Sequence, residues 1–229
     1  MKSSVQGGSE DHWIPLGDLM TGMMVFFMLV AVLYMLQMRL TTSRIISNHY
    51  AVREQIFTAL NAEFKEDIEK WGGTIDSTLI VRFTGPRVMF ETGSDIVKPS
   101  FRDILRDFMP RFIGVLKDQP YEYKIKEIRI DGHTSKRWHG EQDSLVAHFK
   151  NIELSQDRTR RVLEYILSLN EIEKDRAWLK QKVTANGLAA LRPLYVNGDV
   201  TAELSQRVEF RIIIDDRAVI DSLALETHL

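Results

Sequence analysis

One carboxylate lies at the head of the most apolar stretch of the sequence. Asp18 is followed by uncharged, mostly apolar residues as far as Leu36. Carboxylates are rare in membrane-spanning helices, where they face protein or water and commonly mark a path for protons or ions. At helical spacing, one small and polar face contains Asp18, Thr21, Gly22 and Val25. This pattern predicts that Asp18 binds a proton, supported by Thr21 and Gly22.

Asp18 also has a purely structural alternative. An aspartate near the start of a helix can accept hydrogen bonds from free amide groups and lies at the positive end of the helix dipole. In that case its side chain only stabilises the helix end at the depth of the lipid headgroups. The first interpretation requires partner helices, because a single span cannot enclose an ion path, whereas the second does not.

The element that must position Asp18 is a transmembrane helix over residues 13–40. The apolar run from Leu19 to Met38 has the length of about 20 residues that a bilayer core of about 30 Å requires. Trp13 and Tyr34 lie near its two ends, where interfacial aromatic residues are common. A signal peptide is disfavoured, because the run is longer than a usual signal-peptide apolar region and no small-residue cleavage site follows it.

Residues 41–73 are predicted to form a helical linker. Its apolar residues are spaced mainly by sevens and fours, and they are Ile45, Val52, Ile56, Leu60, Phe64, Ile68 and Trp71. Gly72 and Gly73 then end the helix and mark the domain boundary. The apolar stripe either pairs with the same helix of a second copy, giving a homodimer, or rests on the domain that follows.

Residues 74–216 alternate between strand-like and helix-like segments. The predicted strands include Leu79–Phe83, Tyr123–Ile130 and Val208–Ile214, and predicted helices begin at Pro99 and Asn151. The fold class is therefore a single transmembrane helix followed by a helical linker and an α/β sandwich domain of the βαβαβ type. Residues 1–12 form a short N-terminus, and residues 217–229 form a C-terminal tail.

The composition disfavours several classes of function. The formal net charge is -2, from 30 basic and 32 acidic residues, and no basic stripe predicts binding to nucleic acid. The chain has no cysteine, which excludes disulfides and thiolate metal sites. The irregular spacing of His133, His139 and His148 argues against a metal site, and we expect no cofactor. Because no nucleophile–base motif or phosphate-binding loop is present, we expect no catalysis.

Residues 18–29, DLMTGMMVFFML, resemble the membrane signature of MotB, the flagellar stator family. In that family the aspartate binds the transported proton, two spans form a dimer, and MotA-like subunits surround them. The resemblance implies the same arrangement here, with Asp18 as the proton-binding residue. Protons, or sodium ions, would be the transported species.

Four later stretches resemble the OmpA-like peptidoglycan-binding domain, in that family's order: residues 88–99, 130–134, 151–158 and 205–210. The resemblance implies that Arg158 binds a carboxylate of the peptidoglycan stem peptide, as a guanidinium can do through two hydrogen bonds. It also implies that the same pocket contains Asn151, Leu154, Thr134 and Ser135.

One position departs from the OmpA-like pattern. Ser135 stands where the family has an aspartate that pairs with the stem-peptide amine, and Glu141 or Asp143 in the following charged loop could replace it. Two structural alternatives also stay open. Arg158, expected in the first turn of a helix, could be a solvated arginine, and Asn151 could be only a helix N-cap.

Within this group the chain most resembles ZorB, the MotB-like component of Zorya anti-phage defence. Only Lys2 is basic before the span, and no proline-containing plug follows it, whereas flagellar MotB usually has a longer basic N-terminus and such a plug. The resemblance implies a ZorA-like (MotA-like) partner and signalling of envelope attack to cytosolic effectors. A flagellar MotB subunit and a non-conducting wall-binding tether are the alternatives.

Orientation is the point on which two sequence signals disagree. The family resemblance implies an inner-membrane protein with a cytoplasmic N-terminus and a periplasmic domain bound to peptidoglycan. By the positive-inside rule, however, Arg39, Arg44 and Arg53 favour a cytoplasmic location for the side that follows the span. We expect the family orientation, because peptidoglycan is found only in the periplasm.

Overall fold

The computed structural model describes residues 13–85, 89–91, 93–118, 121–135, 138, 144–196, 199–200 and 205–215. The helices are α1 (Trp13–Phe64), α2 (Pro99–Lys117), α3 (Ser144–Ser168) and α4 (Arg176–Lys182). The strands are β1 (Gly73–Asp76), β2 (Ile80–Thr84), β3 (Ile125–His133), β4 (Val183–Gly187), β5 (Tyr195–Val196), β6 (Asp199–Val200) and β7 (Arg207–Ile214). The predicted N-terminus 1–12, the tail 217–229, His139, Glu141 and Asp143 lie outside the described residues.

The chain divides into two compact units, Met1–Asn48 and His49–Leu229. The first unit contains the membrane-length part of α1. Gly17–Ser43 is long and apolar enough to cross a membrane, and none of its most apolar window is buried inside the chain. Such a surface requires lipid or other helices to cover it.

The second unit is built on a five-stranded sheet with the order β1-β2-β7-β3-β4. β3 and β4 are parallel, and the other neighbouring strands are antiparallel. α3 lies in the chain between β3 and β4, as a parallel pair requires a crossover connection. β5 and β6 form a separate two-stranded sheet. This mixed sheet with helices confirms the predicted α/β class.

The hydrophobic core lies between one face of the sheet and the helices. The spacing of apolar residues in α2 places Phe101, Phe108 and Phe112 on a single buried face. These rings meet Phe83 of β2 and Phe210 of β7, and the ring centroids of Phe108 and Phe112 are 4.8 Å apart. Aromatic burial of this kind supplies much of a small domain's stability.

From Val52 onward, the apolar stripe predicted for the linker packs into this same core. Ile56, Leu60 and Phe64 at the end of α1 are fully buried within the second unit. Their burial contributes on the order of 1.5–3 kcal/mol each, so these side chains are not available for pairing with a second copy. The structure therefore supports the alternative in which the stripe rests on the domain, and the compact unit begins at His49 rather than after Gly73.

Arg111 of α2 holds the end of α1 in place. Its Nε donates to the Glu63 carboxylate at 2.6 Å, and its Nη1 donates to the Asp67 carboxylate at 3.0 Å. The guanidinium also lies 4.8 Å from the ring centroid of Phe64. Because α1 ends at Phe64 and is followed by turns, the predicted helix to Trp71 is too long.

Two glycines allow α3 to approach the ends of β3 and β4 closely. A Cβ on Gly132 would lie 2.9 Å from the Ser155 carbonyl oxygen, and a Cβ on Gly187 would lie 2.4 Å from the Gln156 nitrogen. Both neighbours are backbone atoms of α3, which cannot rotate away. The glycines thus fix the spacing between helix and sheet.

Gly132→Ala should therefore destabilise the protein by about 1–3 kcal/mol, the usual cost of overpacking. Thermal unfolding of the full chain in detergent, followed by tryptophan fluorescence, measures the effect. Gly114→Ala in α2 is the matched control, because a Cβ there meets nothing within 4 Å and alanine favours the helix. An unchanged unfolding temperature for Gly132→Ala would contradict the close-approach account.

Candidate functional site

The predicted ion-binding face lies on a continuous part of α1. Asp18, Thr21 and Gly22 are all exposed in the isolated chain, and the helix places them on one side. The Thr21 hydroxyl donates to the Gly17 carbonyl oxygen at 2.8 Å. A Cβ placed on Gly22 would have no other atom of the described chain within 4 Å. A partner helix could therefore approach the backbone closely at this position.

The second predicted site is centred on Arg158, which is buried with only 6% of its surface exposed. Its Nε donates to the Ser94 carbonyl oxygen at 2.9 Å, and its Nη2 donates to the Glu91 carbonyl oxygen at 3.0 Å. The guanidinium lies 4.8 Å from the ring centroid of Phe90. Burial lowers the pKa of Arg158 to about 10, while the nearby Asp95 opposes the shift, so the side chain is charged at neutral pH.

One expectation for this helix, the position of Arg158 in the first turn, is wrong, and the structure excludes the two structural alternatives for Arg158 and Asn151. Arg158 is not a solvated arginine, and it lies well inside α3 rather than in its first turn, because the helix already begins at Ser144. Free amides of a helix start therefore do not add to this site. Asn151 is not an N-cap, since it is buried and its side-chain amide donates to the Ala147 carbonyl oxygen at 2.9 Å.

A narrow cleft runs beside Arg158 and has a volume of about 10 Å³. Its lining residues are Met89, Phe90, Gly132, His133, Arg158, Gln206, Arg207 and Val208. A cleft of this volume holds about one water molecule. Among the described residues that line the cleft there is no carboxylate, so the lining favours an anion over an amine.

The other predicted peptidoglycan residues do not line this cleft. Thr134 is buried, its amide donates to the Ala189 carbonyl oxygen at 2.8 Å, and its hydroxyl has no partner within the described part of the chain. Ser135 and Leu154 are half-buried. The structure thus brings Arg158 to the end of β3, next to Gly132 and His133, and leaves Asn151 inside its own helix.

Sequence reasoning missed the role of Ser155, which ties α3 to the chain after β4. Its hydroxyl donates to the Ile152 carbonyl oxygen at 2.8 Å and accepts from the Ala189 amide at 3.0 Å. The same segment accepts the Thr134 amide, so one small loop joins α3 to the end of β3. The serine of the motif at 151–158 is the signal that could have indicated this contact.

A network of charges on the sheet face opposite the core was also missed. We call it the arginine ladder; its members are Arg82, Arg129, Arg207 and Arg211 around the carboxylates Asp131 and Glu209. Asp131 is fully buried and Glu209 is 1% exposed. Carboxylates buried this deeply persist only when they are paired and hydrogen-bonded. Period-two alternation along β7 indicates one polar face but not that the carboxylates on that face are buried.

Glu209 is the central carboxylate of the ladder. It accepts from Arg207 Nε at 2.6 Å, Arg82 Nε at 2.9 Å and Arg211 Nη2 at 3.1 Å. Burial acts to raise the pKa of Glu209, but His133 and the hydrogen bonds from arginine outweigh it and hold that pKa well below its usual range. His133 Nε2 lies 3.8 Å from the nearest Glu209 oxygen, and His133 Nδ1 lies 2.9 Å from the Leu191 carbonyl oxygen.

Taken together, the fold and the site define a class of protein. An exposed helix of membrane length carries a carboxylate at its head, and the chain continues into an α/β domain. In that domain three of the stretches singled out in the sequence lie in or beside β3, α3 and β7, and Arg158 packs beside Gly132 and His133. The protein therefore joins a helix of membrane length to an α/β domain.

The comparison with known proteins narrows this class to a family. The chain is 38% identical over 209 residues to the Zorya protein ZorB of Escherichia coli, covering 89% of this chain and 88% of the relative. At this identity and coverage, the chain belongs to the ZorB family. No family model matches the sequence.

Solved structures with a similar chain path were also found. One is a MotB-like protein from Desulfovibrio vulgaris, with a TM-score of 0.48 and 23% identity, covering 77% of this chain and 99% of that structure. Another is the cell wall anchor of the T6SS from Pseudomonas aeruginosa, with a TM-score of 0.46 and 19% identity, covering 68% and 97%.

Proposed function

We propose that this protein is a stator-type subunit of the bacterial inner membrane, in which Asp18 carries protons, or sodium ions, between partner helices. The observation that carries the proposal is the placement of Asp18 in a membrane-length helix whose described side chains from Asp18 to Ser43 are exposed within their own unit. An ionisable side chain at that position is costly unless protein or water surrounds it. Its neighbours Thr21 and Gly22 offer a small, close-packing face to such partners.

The partners in this proposal are a second copy of the chain and several MotA-like, or ZorA-like, membrane subunits. One chain supplies a single candidate span within its described residues, and an ion path requires several. The family membership supports a role in Zorya defence. In the proposed role, ion flow would signal damage of the envelope to cytosolic effectors. Flagellar motility and a non-conducting wall tether are the competing functions.

The second unit would hold the subunit to peptidoglycan in the periplasm. Arg158 is its best candidate for a contact with the wall, because a guanidinium can form two parallel hydrogen bonds with a carboxylate of the stem peptide. The replacement of the family's acidic residue by Ser135 predicts a weak contact with the stem-peptide amine. Wall binding would therefore depend mainly on the contact between Arg158 and the stem-peptide carboxylate.

A pair of reporter fusions at Leu229 tests this topology. We expect alkaline phosphatase, which folds only outside the cytoplasm, to be active in the fusion, and a cytoplasm-dependent fluorescent reporter to be dark. The same reporters fused after residue 12 are the matched control and should give the opposite result. A fluorescent C-terminal fusion without phosphatase activity would contradict the anchoring model and would agree with the positive-inside rule.

A further inference from the structure

Arg158 donates along one complete edge of its guanidinium to the chain's own backbone. The acceptors belong to the clamp turn, which we define as Glu91 together with residues 93–98. The Nε and Nη2 atoms form an edge that can take both oxygens of a carboxylate. Here the carbonyl oxygens of Glu91 and Ser94 occupy it, at 3.0 and 2.9 Å.

The other guanidinium in the cleft is occupied as well. Arg207 donates to the Glu209 carboxylate at 2.6 Å, to the Ser205 carbonyl oxygen at 3.1 Å and to the Arg192 carbonyl oxygen at 3.0 Å. The space that remains beside them, about 10 Å³, suits one water molecule. In this conformation the Nε–Nη2 edge of Arg158 is therefore not available to a stem-peptide carboxylate.

The clamp turn is held in this position by contacts at its surface. Asp95 accepts from Arg161 Nε of α3 at 2.9 Å, and Lys98 Nζ lies 2.7 Å from the Glu91 carboxylate. The hydrogen bond from Arg161 lowers the pKa of Asp95, so this pair is fully charged at neutral pH. Ion pairs that are partly exposed contribute little each, which makes them suitable for a contact that must open.

We propose that the clamp turn is a latch that occludes its own binding site, and that peptidoglycan binds only when a stem-peptide carboxylate displaces the carbonyl oxygens of Glu91 and Ser94 from Arg158. This inference rests on the proposed function, because it concerns the regulation of the same wall-binding site. Exchange of two carbonyl acceptors for a carboxylate is favourable, since a bidentate pair of guanidinium and carboxylate adds the attraction of opposite charges to the two hydrogen bonds. The surface ion pairs contribute one part of the cost of opening, and the bridge between Phe90 and Val97 closes the base of the turn.

Sedimentation of the full chain in detergent with purified peptidoglycan sacculi tests the latch. Asp95→Ala and Arg161→Ala break the same ion pair from its two sides, so that a local defect of one variant does not decide the result. Asp103→Ala is the matched control, because it removes an exposed ion pair with Arg106 on α2 and touches neither Arg158 nor the clamp turn. Sacculi from which an amidase has removed the stem peptides are the second probe.

If the latch exists, Asp95→Ala and Arg161→Ala bind intact sacculi about two- to fivefold more tightly than the unchanged protein, the range that an exposed ion pair supports. Asp103→Ala binds like the unchanged protein. The gain disappears on stripped sacculi and in the double variant Asp95→Ala/Arg158→Ala. If that double variant does not fold, the comparison of intact with stripped sacculi decides the point alone.

Two results overturn the proposal in different ways. Measurable binding by the unchanged protein, with no gain in either opening variant, rejects the latch and leaves wall binding intact. Absence of binding in every variant rejects wall binding at this site, and the latch with it.

Discussion

Asp18→Asn should abolish the activity of the membrane complex while the amount of membrane-inserted protein stays unchanged. Asparagine preserves the shape of the side chain and its ability to accept hydrogen bonds, but it cannot bind and release a proton. If Asp18 carries the transported ion, removal of its charge stops transport completely. If Asp18 only stabilises the helix end, asparagine, which is also a good capping residue, leaves activity intact.

Phage plaque counts on cells that express the chain with its genomic neighbours measure this effect. We expect Asp18→Asn to give the same plaque count as cells without the system. Asp18→Glu is the matched control, because it keeps a titratable carboxylate and should retain part of the protection. Protection by Asp18→Asn equal to that of the unchanged protein would rule out ion carriage by this residue.

Glu209→Gln should cause a large loss of stability in the second unit. Glu209 is buried and accepts hydrogen bonds from Arg82, Arg207 and Arg211. Glutamine removes the negative charge and turns one acceptor into a donor that faces arginine. Loss of one partner from a buried ionic network costs on the order of 3–5 kcal/mol, because the remaining charges stay buried without compensation.

The same substitution should change how stability depends on pH. The pKa of Glu209 in the folded protein lies below that of an unfolded glutamate, which is about 4.3. Its contribution to stability is therefore fully present above about pH 5 and decreases as pH falls through 4 toward the lower folded-state value. In Glu209→Gln this part of the acid dependence is absent.

Thermal unfolding of the full chain in detergent measures both effects. A range from about pH 3 to about pH 7 is suitable, because it spans the pKa of an unfolded glutamate. Glu164→Gln is the matched control: Glu164 is paired with Arg160 and Arg161 on the surface of α3, and its loss should leave the unfolding temperature almost unchanged. Equal unfolding temperatures for Glu209→Gln and the unchanged protein at pH 7 would show that the ladder is not a source of stability.

Local patterns were sufficient to predict the general architecture. The long apolar run predicted the first helix, and the spacing of Phe101, Phe108 and Phe112 predicted the buried face of α2. Alternation in 208–214 predicted β7, which differs by one residue from the observed strand. Each of these signals lies within one helix or strand and reflects only which of its side chains avoid water. It can therefore be recognised in the sequence without knowledge of the tertiary structure.

The arrangement of the second site depended on contacts that are distant in the sequence. The bonds from Arg158 to the carbonyl oxygens of Glu91 and Ser94 involve backbone atoms, which leave no trace in residue type. For the same reason the motif could indicate that Arg158 matters but not that its guanidinium edge is already occupied. Alternation along β7 places Glu209 on the face opposite Phe210, but it does not reveal what covers that face of the sheet.

Asn151 shows how a local rule can mislead. Asparagine is a favoured N-cap, and the charged residues before it suggested a loop. The helix instead begins at Ser144 and places Asn151 on its buried face, next to Ser155 and Arg158 one and two turns later. The spacing of four and seven residues was the available signal, and it outweighs the capping preference of one side chain.

Affinity purification of the full chain from its native membrane, followed by native mass spectrometry, tests the central proposal most directly. A stator-type subunit predicts a complex that contains two copies of this chain and a larger number of a multi-span MotA-like protein. Recovery of the chain alone, or as a homodimer without any multi-span partner, would contradict the proposal that partner helices surround Asp18.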